Sequence, residues 1–471
     1  MALFTFVIYY SAFSHNFFPD DWYLLGIYQK FDFFREFVIA YFGGAFSLPL
    51  VINGFYRPIN SIFYYFGYNF FGVNPTGYRV IVFIFFILCS FLVFKLSDHF
   101  FNDQYVSFLA SVIYISRSVH DLSLLAPSGI VNVCSDFFML SSIYMFIHFK
   151  DTGKIQFFIL SVCASIGAFF SKEGSVILFL LILLIEIFYS KPIKINLKES
   201  FKKLFPFFLI FLLYLIRVFF FRSNMISEGP YSMSFTIPVL INNFLFFVRA
   251  LFNNSLEIAL TLIFLGLLIL SRVNIRDYFN KNFLFIGIFL IGLFPYLFLK
   301  TQLSTYYSGF SAVGFSAIFA YILLSTTNNI IYKKCLLLIF IVMFIFSGFW
   351  AFHSYQDINN PINAYTFQEQ KINNVLNYLK QTDLPQNSTI VFINSNLYLN
   401  AALGSGTAVE LSFKNVSNVY FDNAPQPSDN MIEVKNNSVS PMNLTTGSNV
   451  FYFKYSDPYQ NISRIYYTQI F

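Results

Sequence analysis

The chain has 471 residues, of which 57% are hydrophobic, 22% aromatic and 11% charged, with a formal net charge of +6. Soluble domains carry about 25% charged residues, and a mean hydropathy of +0.62 describes more apolar surface than soluble cores can hide, which excludes an ordinary soluble enzyme. The positive balance falls in short loops, where it orients a membrane protein, so nucleic acid drops out as a partner. The apolar content is Phe, Leu and Ile in long runs rather than ten-residue alternating segments, which predicts helices and not a barrel. Phenylalanine, at 69 residues, reads as lipid-facing filler. Cys89, Cys134, Cys163 and Cys335 lie in or beside apolar runs as small hydrophobes, without disulfide or zinc spacing.

In chain order, apolar stretches at 2–13, 77–96, 104–118, 129–149, 155–170, 174–189, 204–221, 256–270, 283–299, 310–328 and 335–352 give eleven candidate transmembrane helices. Several fall short of the roughly 20 residues that a hydrocarbon core of ~30 Å demands. The alternating loops 97–103, 150–154, 190–203, 271–282 and 329–334 hold twelve Lys and Arg, which predicts a cytoplasmic N-terminus. The opposite loops then face outward, including a long first loop, 14–76, whose segments 22–41 and 58–71 read as interfacial amphipathic helices. Beyond 353 the composition turns to Asn, Ser and Thr, with a helix near 366–380 and strands near 388–394, 408–413, 417–421 and 449–455. The expectation is a membrane all-α domain over 1–352, with about eleven transmembrane helices and a large first extracytoplasmic loop, followed by a small extracytoplasmic soluble α+β domain over 353–471. Asn-x-Ser/Thr triplets at Asn387, Asn415, Asn436, Asn443 and Asn461 suit an outward-facing domain, although an Asn- and Ser-rich stretch also generates them by chance.

Acids beside a membrane are costly unless they face water or do chemistry. Asp20 and Asp21 follow the first helix in the run Phe17-Phe18-Pro19-Asp20-Asp21-Trp22. Adjacent carboxylates suppress each other's ionisation, which suits a base or a divalent-cation site, while the same residues also read as the cap and first turn of a helix. Downstream come Tyr56-Arg57-Pro58, the stretch Phe71-Gly72-Val73-Asn74-Pro75-Thr76-Gly77-Tyr78, and the outer turn Ser171-Lys172-Glu173. An acidic pair after helix one, an Arg-Pro in the same outer loop, this Gly-x-Asn-Pro entry into helix two and a Ser-Lys-Glu turn together resemble the polytopic GT-C-type glycosyltransferases, closest to the protein O-mannosyltransferase and aminoarabinose-transferase relatives. The resemblance covers roughly residues 1–330.

That resemblance implies transfer of a sugar from a polyprenyl-phosphate donor to a protein, lipid or glycan acceptor on the extracytoplasmic face. A donor phosphate at the membrane boundary needs cations, and the basic residues at outer helix ends are Arg57, Lys172, Arg222 and Lys300, each of which can equally serve as an interfacial anchor. The resemblance further implies that Lys172 meets the phosphate, that Glu173 orients it or the acceptor, and that His120, Tyr306 and Tyr307 line the same cavity. Asp20 or Asp21 would accept the acceptor hydroxyl proton in a single inverting displacement. No cofactor is assigned, and a divalent cation on the acidic pair is left open. The alternative class is a non-catalytic multispanning transporter or lipid-linked-glycan flippase, which should carry ionisable residues along a transmembrane path rather than gathered at one face.

Overall fold

The computed structural model describes residues 1–29, 32, 56–189, 197–221, 232–270, 275–301, 303–324, 330–354, 361–382, 384–386, 388–393, 403 and 407–421, together with the strand residues 434–435, 438–439, 449–456 and 461–469. Among these the α-helices are α1 (Ala2–Tyr9), α2 (Pro19–Tyr28), α3 (Pro58–Phe71), α4 (Pro75–Phe101), α5 (Gln104–Ile115), α6 (Asp121–Leu125), α7 (Ile130–Thr152), α8 (Ile155–Ser171), α9 (Leu178–Tyr189), α10 (Leu197–Phe221), α11 (Ile237–Ala250), α12 (Ser255–Leu270), α13 (Ile275–Leu293), α14 (Ser311–Leu324), α15 (Ile330–His353), α16 (Pro361–Lys380) and α17 (Thr407–Ser412). Each apolar stretch of the sequence overlaps a helix, with 325–328 outside the described residues and Leu299 in an isolated bridge with Met233. Among the described residues, three helices are long and apolar enough to cross a membrane: Pro75–Phe101, Pro127–Thr152 and Ile330–His353. A fourth candidate, Ile237–Ala250 with Ser255–Ile263, is bent by 95° at its break, and α5, α8 and α14 are shorter apolar helices.

Local chemistry sets the helix ends. Pro75 opens α4 behind Asn74, whose side chain accepts from Thr76 N, and Asn102 closes it with a left-handed φ of 49°. Asp103 then caps α5 by accepting from Tyr105 and Val106 N–H groups. Gly153, with φ of +69° and nothing near its missing Cβ, makes the tight turn from α7 into α8. These two helices pack through small residues: Ser142 and Ser161 exchange hydroxyl bonds with each other's carbonyls at 2.9 and 2.7 Å. Gly314 lets α14 approach α13, since a Cβ there would stand 2.2 Å from the Phe285 carbonyl. Close backbone approach is what holds helices together where lipid offers no hydrophobic drive. A fully buried ion pair adds a polar tie, with Arg117 Nη1 2.5 Å from Glu257 Oε2 and Ser347 Oγ donating to Glu257 Oε1 at 2.7 Å. It joins the end of α5 to α12 and α15.

The C-terminal strands β1 (Ser388–Ile393), β2 (Val416–Phe421), β5 (Asn449–Ser456) and β6 (Asn461–Gln469) form one sheet in the order β2-β1-β5-β6, and β3 (Val434–Lys435) pairs with β4 (Ser438–Val439). The first three strands of the large sheet run parallel and β6 is antiparallel to β5. The strand expected at 408–413 is instead α17. Its six residues TAVELS bury Ala408 and Val409, neighbours that alternation would split between two faces, and they do so against the sheet and α2. The helix expected near 366–380 starts earlier, at Pro361. Of the interfacial helices expected in the first loop, 58–71 is α3. The 22–41 segment is helical only to Tyr28, and 30–31 and 33–41 lie outside the described residues.

The sheet and α16 do not stand apart from the helices. Ile372, Leu379 and Ile390 belong to the same buried apolar cluster as Leu25 and Leu124. Glu369 accepts from the Asn16 N–H at 2.5 Å and lies 2.7 Å from His15 Nδ1, while Arg79 donates to the carbonyls of His15 and Asn16. The segment leading into α2 is thus gripped from both sides.

Candidate active-site cavity

That gripped segment delivers the acidic pair. Pro19 opens α2 at its first position, so Asp20 and Asp21 occupy the second and third. The Asp21 carboxylate folds back on the helix start. It accepts from Phe18 N at 2.9 Å, from Ser128 N at 2.6 Å and from Tyr64 OH at 3.0 Å, and it is wholly buried. Burial outweighs these bonds and pushes its pKa up to about 6. The helix-start reading of the pair is met by Asp21. Asp21 is the anchor of the helix start. Asp20 opens onto a cavity, solvent-accessible yet surrounded by protein, and this burial raises its pKa while the Arg57 charge works against the rise.

The cavity has a volume of about 230 Å³ and is lined by Asp20, Arg57, Lys172, Glu173, Tyr306 and Tyr307, with Asn60 and Asn132 among the remaining polar walls. Arg57 precedes Pro58, which keeps it out of helical geometry (φ −139°, ψ 65°). Its guanidinium grips Glu173 bidentately, Nε to Oε2 at 3.0 Å and Nη2 to Oε1 at 2.6 Å. A fork of this kind fixes both side chains more firmly than a single-point contact. Lys172 closes α8 in extended conformation (φ −156°, ψ 144°), which turns its side chain inward. Its Nζ donates to Asn132 Oδ1 at 2.6 Å and lies 5.1 Å from the ring centres of Tyr306 and Tyr307 and 5.7 Å from that of Tyr296. Tyr307 stacks on Tyr296 at 4.5 Å. Burial lowers the Lys172 pKa to about 8, with Glu173 and Asp136 opposing the fall and Arg57 adding to it. The rings stabilise the ammonium without neutralising it.

No family model and no curated protein matches this chain. The cavity therefore speaks through its own chemistry. Four cation-binding or anion-binding groups, drawn from three separate parts of the chain, surround one space large enough for a small polar ligand.

Other expected site residues lie elsewhere. His120 is buried with its ring against Tyr114 at 4.5 Å and Phe86 at 4.9 Å, and its Nε2 has no hydrogen-bond partner among the described residues. Burial, reinforced by the Arg117 charge, lowers its pKa to about 3, so it is neutral; it is packed behind Gly309 rather than on the cavity wall. Lys300 is exposed and does not line the cavity; its backbone N–H donates to Ser232 O at 2.9 Å. Arg222 lies outside the described residues. Among the described residues no three His, Cys, Asp or Glu side chains group as metal ligands. In the other direction, Asn60, Asn132 and Tyr296 escape the motif reading, because single polar or aromatic residues in apolar runs look like packing. Asp136 carried a signal, an acid in the middle of an apolar stretch.

Proposed function

We propose that this cavity binds a polyprenyl-phosphate sugar and transfers the sugar, with inversion at C1, to a hydroxyl acceptor on a protein, lipid or glycan. The observation that carries the reading is the convergence of Asp20, Arg57, Lys172 and Glu173 on one cavity walled by Tyr306 and Tyr307. Asp20 takes the acceptor hydroxyl proton as the acceptor oxygen forms its bond to C1. The bond from C1 to the phosphate oxygen breaks on the opposite face, and the electron pair leaves with polyprenyl phosphate. Lys172 and Arg57 stabilise that anion, with Arg57 held in place by Glu173. The tyrosine rings offer flat apolar walls to a sugar, and burial moves Asp20 toward the basicity a general base needs.

In this reading the chain is a multi-pass membrane protein of about eleven spans with a cytoplasmic N-terminus. The cavity and residues 353–471 then face the extracytoplasmic side. Support comes from the twelve basic residues that gather in alternate segments between the apolar runs. The test incubates purified protein in lipid nanodiscs with radiolabelled polyprenyl-phosphate sugars and follows label into lipid, glycan and protein fractions. Transfer by the wild type and its loss in folded Asp20→Asn is expected. Full activity of Asp20→Asn, or no transfer from any sugar by folded wild type, rejects the reading.

A further inference from the structure

Beneath the main cavity, sharing Asn132, Lys172, Tyr306 and Tyr307 with it, is a second space of about 20 Å³, enough for a single water. Its inner wall carries Asp136, Ser135 and Tyr296. Asp136 stands one helical turn beyond Asn132 on α7, so both point to the same face. Asn132 Oδ1 takes the direct hydrogen bond from Lys172 Nζ at 2.6 Å. Asp136 acts on the same ammonium by charge across the small space. Its Oδ2 lies 3.6 Å from where a Cβ on Gly309 would stand, an ordinary contact distance that puts the carboxylate beside the Tyr306–Tyr307 turn.

We infer that Asp136 is a positioning residue for the anion site: it supplies the negative charge, from inside the helix layer, that keeps Lys172 an ammonium aimed into the cavity. This deepens the proposed function and rests on it for the identity of the anion, a phosphate ester, but the Asp136 to Lys172 relation itself does not depend on the donor. Glu173 also holds the ammonium by charge, but both its oxygens are committed to the fork with Arg57, whose like charge works against it. Asp20 lies on α2 in the main cavity, and Tyr296, Tyr306 and Tyr307 are uncharged rings. Without Asp136 the lysine would keep the Glu173–Arg57 pair, a tyrosine cage and one amide, and burial would strip its proton more readily.

The experiment reads the amine directly and needs no donor. Competitive labelling of the 471-residue chain in nanodiscs with acetic anhydride, across pH 6 to 11 and followed by mass spectrometry, gives the pH midpoint of Lys172 reactivity. The expected result is a midpoint near 8 in the wild type, falling by about one pH unit or more in Asp136→Asn and returning toward wild type in Asp136→Glu. A structural role alone would leave the midpoint in place. Asp136→Ser serves as a second charge-removing variant should the Asn variant not fold. An unchanged Lys172 midpoint in either folded variant overturns the inference. Because no sugar is used, that result is separate from any failure of transfer.

Discussion

Asp20 and Asp21 are adjacent in sequence and opposite in duty. Asp21 holds three hydrogen bonds from Phe18, Ser128 and Tyr64, so Asp21→Ala strands two backbone N–H groups and a phenol in a buried place. A loss of about 2 to 4 kcal/mol is expected, read as a drop in the midpoint of denaturant unfolding in mixed micelles. Asp20→Asn should instead leave that midpoint within about 0.5 kcal/mol and lower transfer by 10²-fold or more, measured as initial rate under single-sugar conditions. Lys172 sets a pH dependence with a definite sign. Its folded pKa lies below its ordinary value of 10.5, at about 8, so the unfolded chain binds more protons between pH 8 and 10.5. Stability contributed by this group therefore rises with pH across that window. Anion binding follows the charged form and runs the other way, so donor affinity should weaken as pH rises through about 8. A binding titration at pH 6.5, 8 and 9.5 that shows no weakening would remove Lys172 from the phosphate site.

At the scale of elements, the cavity depends on short connectors more than on the long helices. The turn Pro127–Gly129 presents the Ser128 N–H to Asp21, and a Cβ at Gly129 would stand 2.0 Å from the Ser123 carbonyl oxygen. Gly129→Ala is expected to push this turn off α2, costing about 1 to 3 kcal/mol and reducing transfer although Gly129 carries no chemistry. Thermal unfolding and rate measured on the same preparation check both effects. The tie between α5, α12 and α15 behaves differently. Glu257→Ala leaves the buried Arg117 without its carboxylate, and about 3 to 5 kcal/mol of stability should be lost, visible in the same unfolding assay. Arg57, held out of helical geometry ahead of Pro58, and the extended Lys172 that follows α8 bring Arg57 and Glu173 together across 116 positions of sequence.

At the scale of the molecule, the C-terminal sheet and α16 are part of what holds the acidic pair. Glu369 binds the His15–Asn16 segment just ahead of α2, and Thr407 of α17 packs so closely on α2 that a Cβ at Gly26 would meet it at 2.3 Å. Glu369→Ala should loosen residues 15–28 while leaving α7 and α8 protected, and amide hydrogen exchange resolved by peptide checks this. Much of the fold was legible in sequence, since every apolar stretch overlaps a helix. The small helix α17 was not, because six residues of mixed pattern satisfy either period and only their neighbours decide. Within the site, Asp20, Arg57, Lys172, Glu173, Tyr306 and Tyr307 were legible as charged or aromatic residues at helix ends. Lys300 carried the same local signal and lies on an exposed surface, while Asn132 and Asp136 looked like interruptions of an apolar run.

The sequence by itself determined the apolar character and most of the positions of the helices. Hydropathy and run length act locally along the chain, so apolar helices follow from residue order alone, whereas basic residues expected in connecting loops, such as Lys202, Lys203, Lys333 and Lys334, lie on helices. Tertiary structure decided which of two neighbouring carboxylates is buried as an anchor and which opens to the cavity. It also decided which lysine is enclosed by tyrosines and which carboxylate lies behind it. Those outcomes depend on side chains from distant segments meeting in one place, and the charge state of each depends on what it meets there.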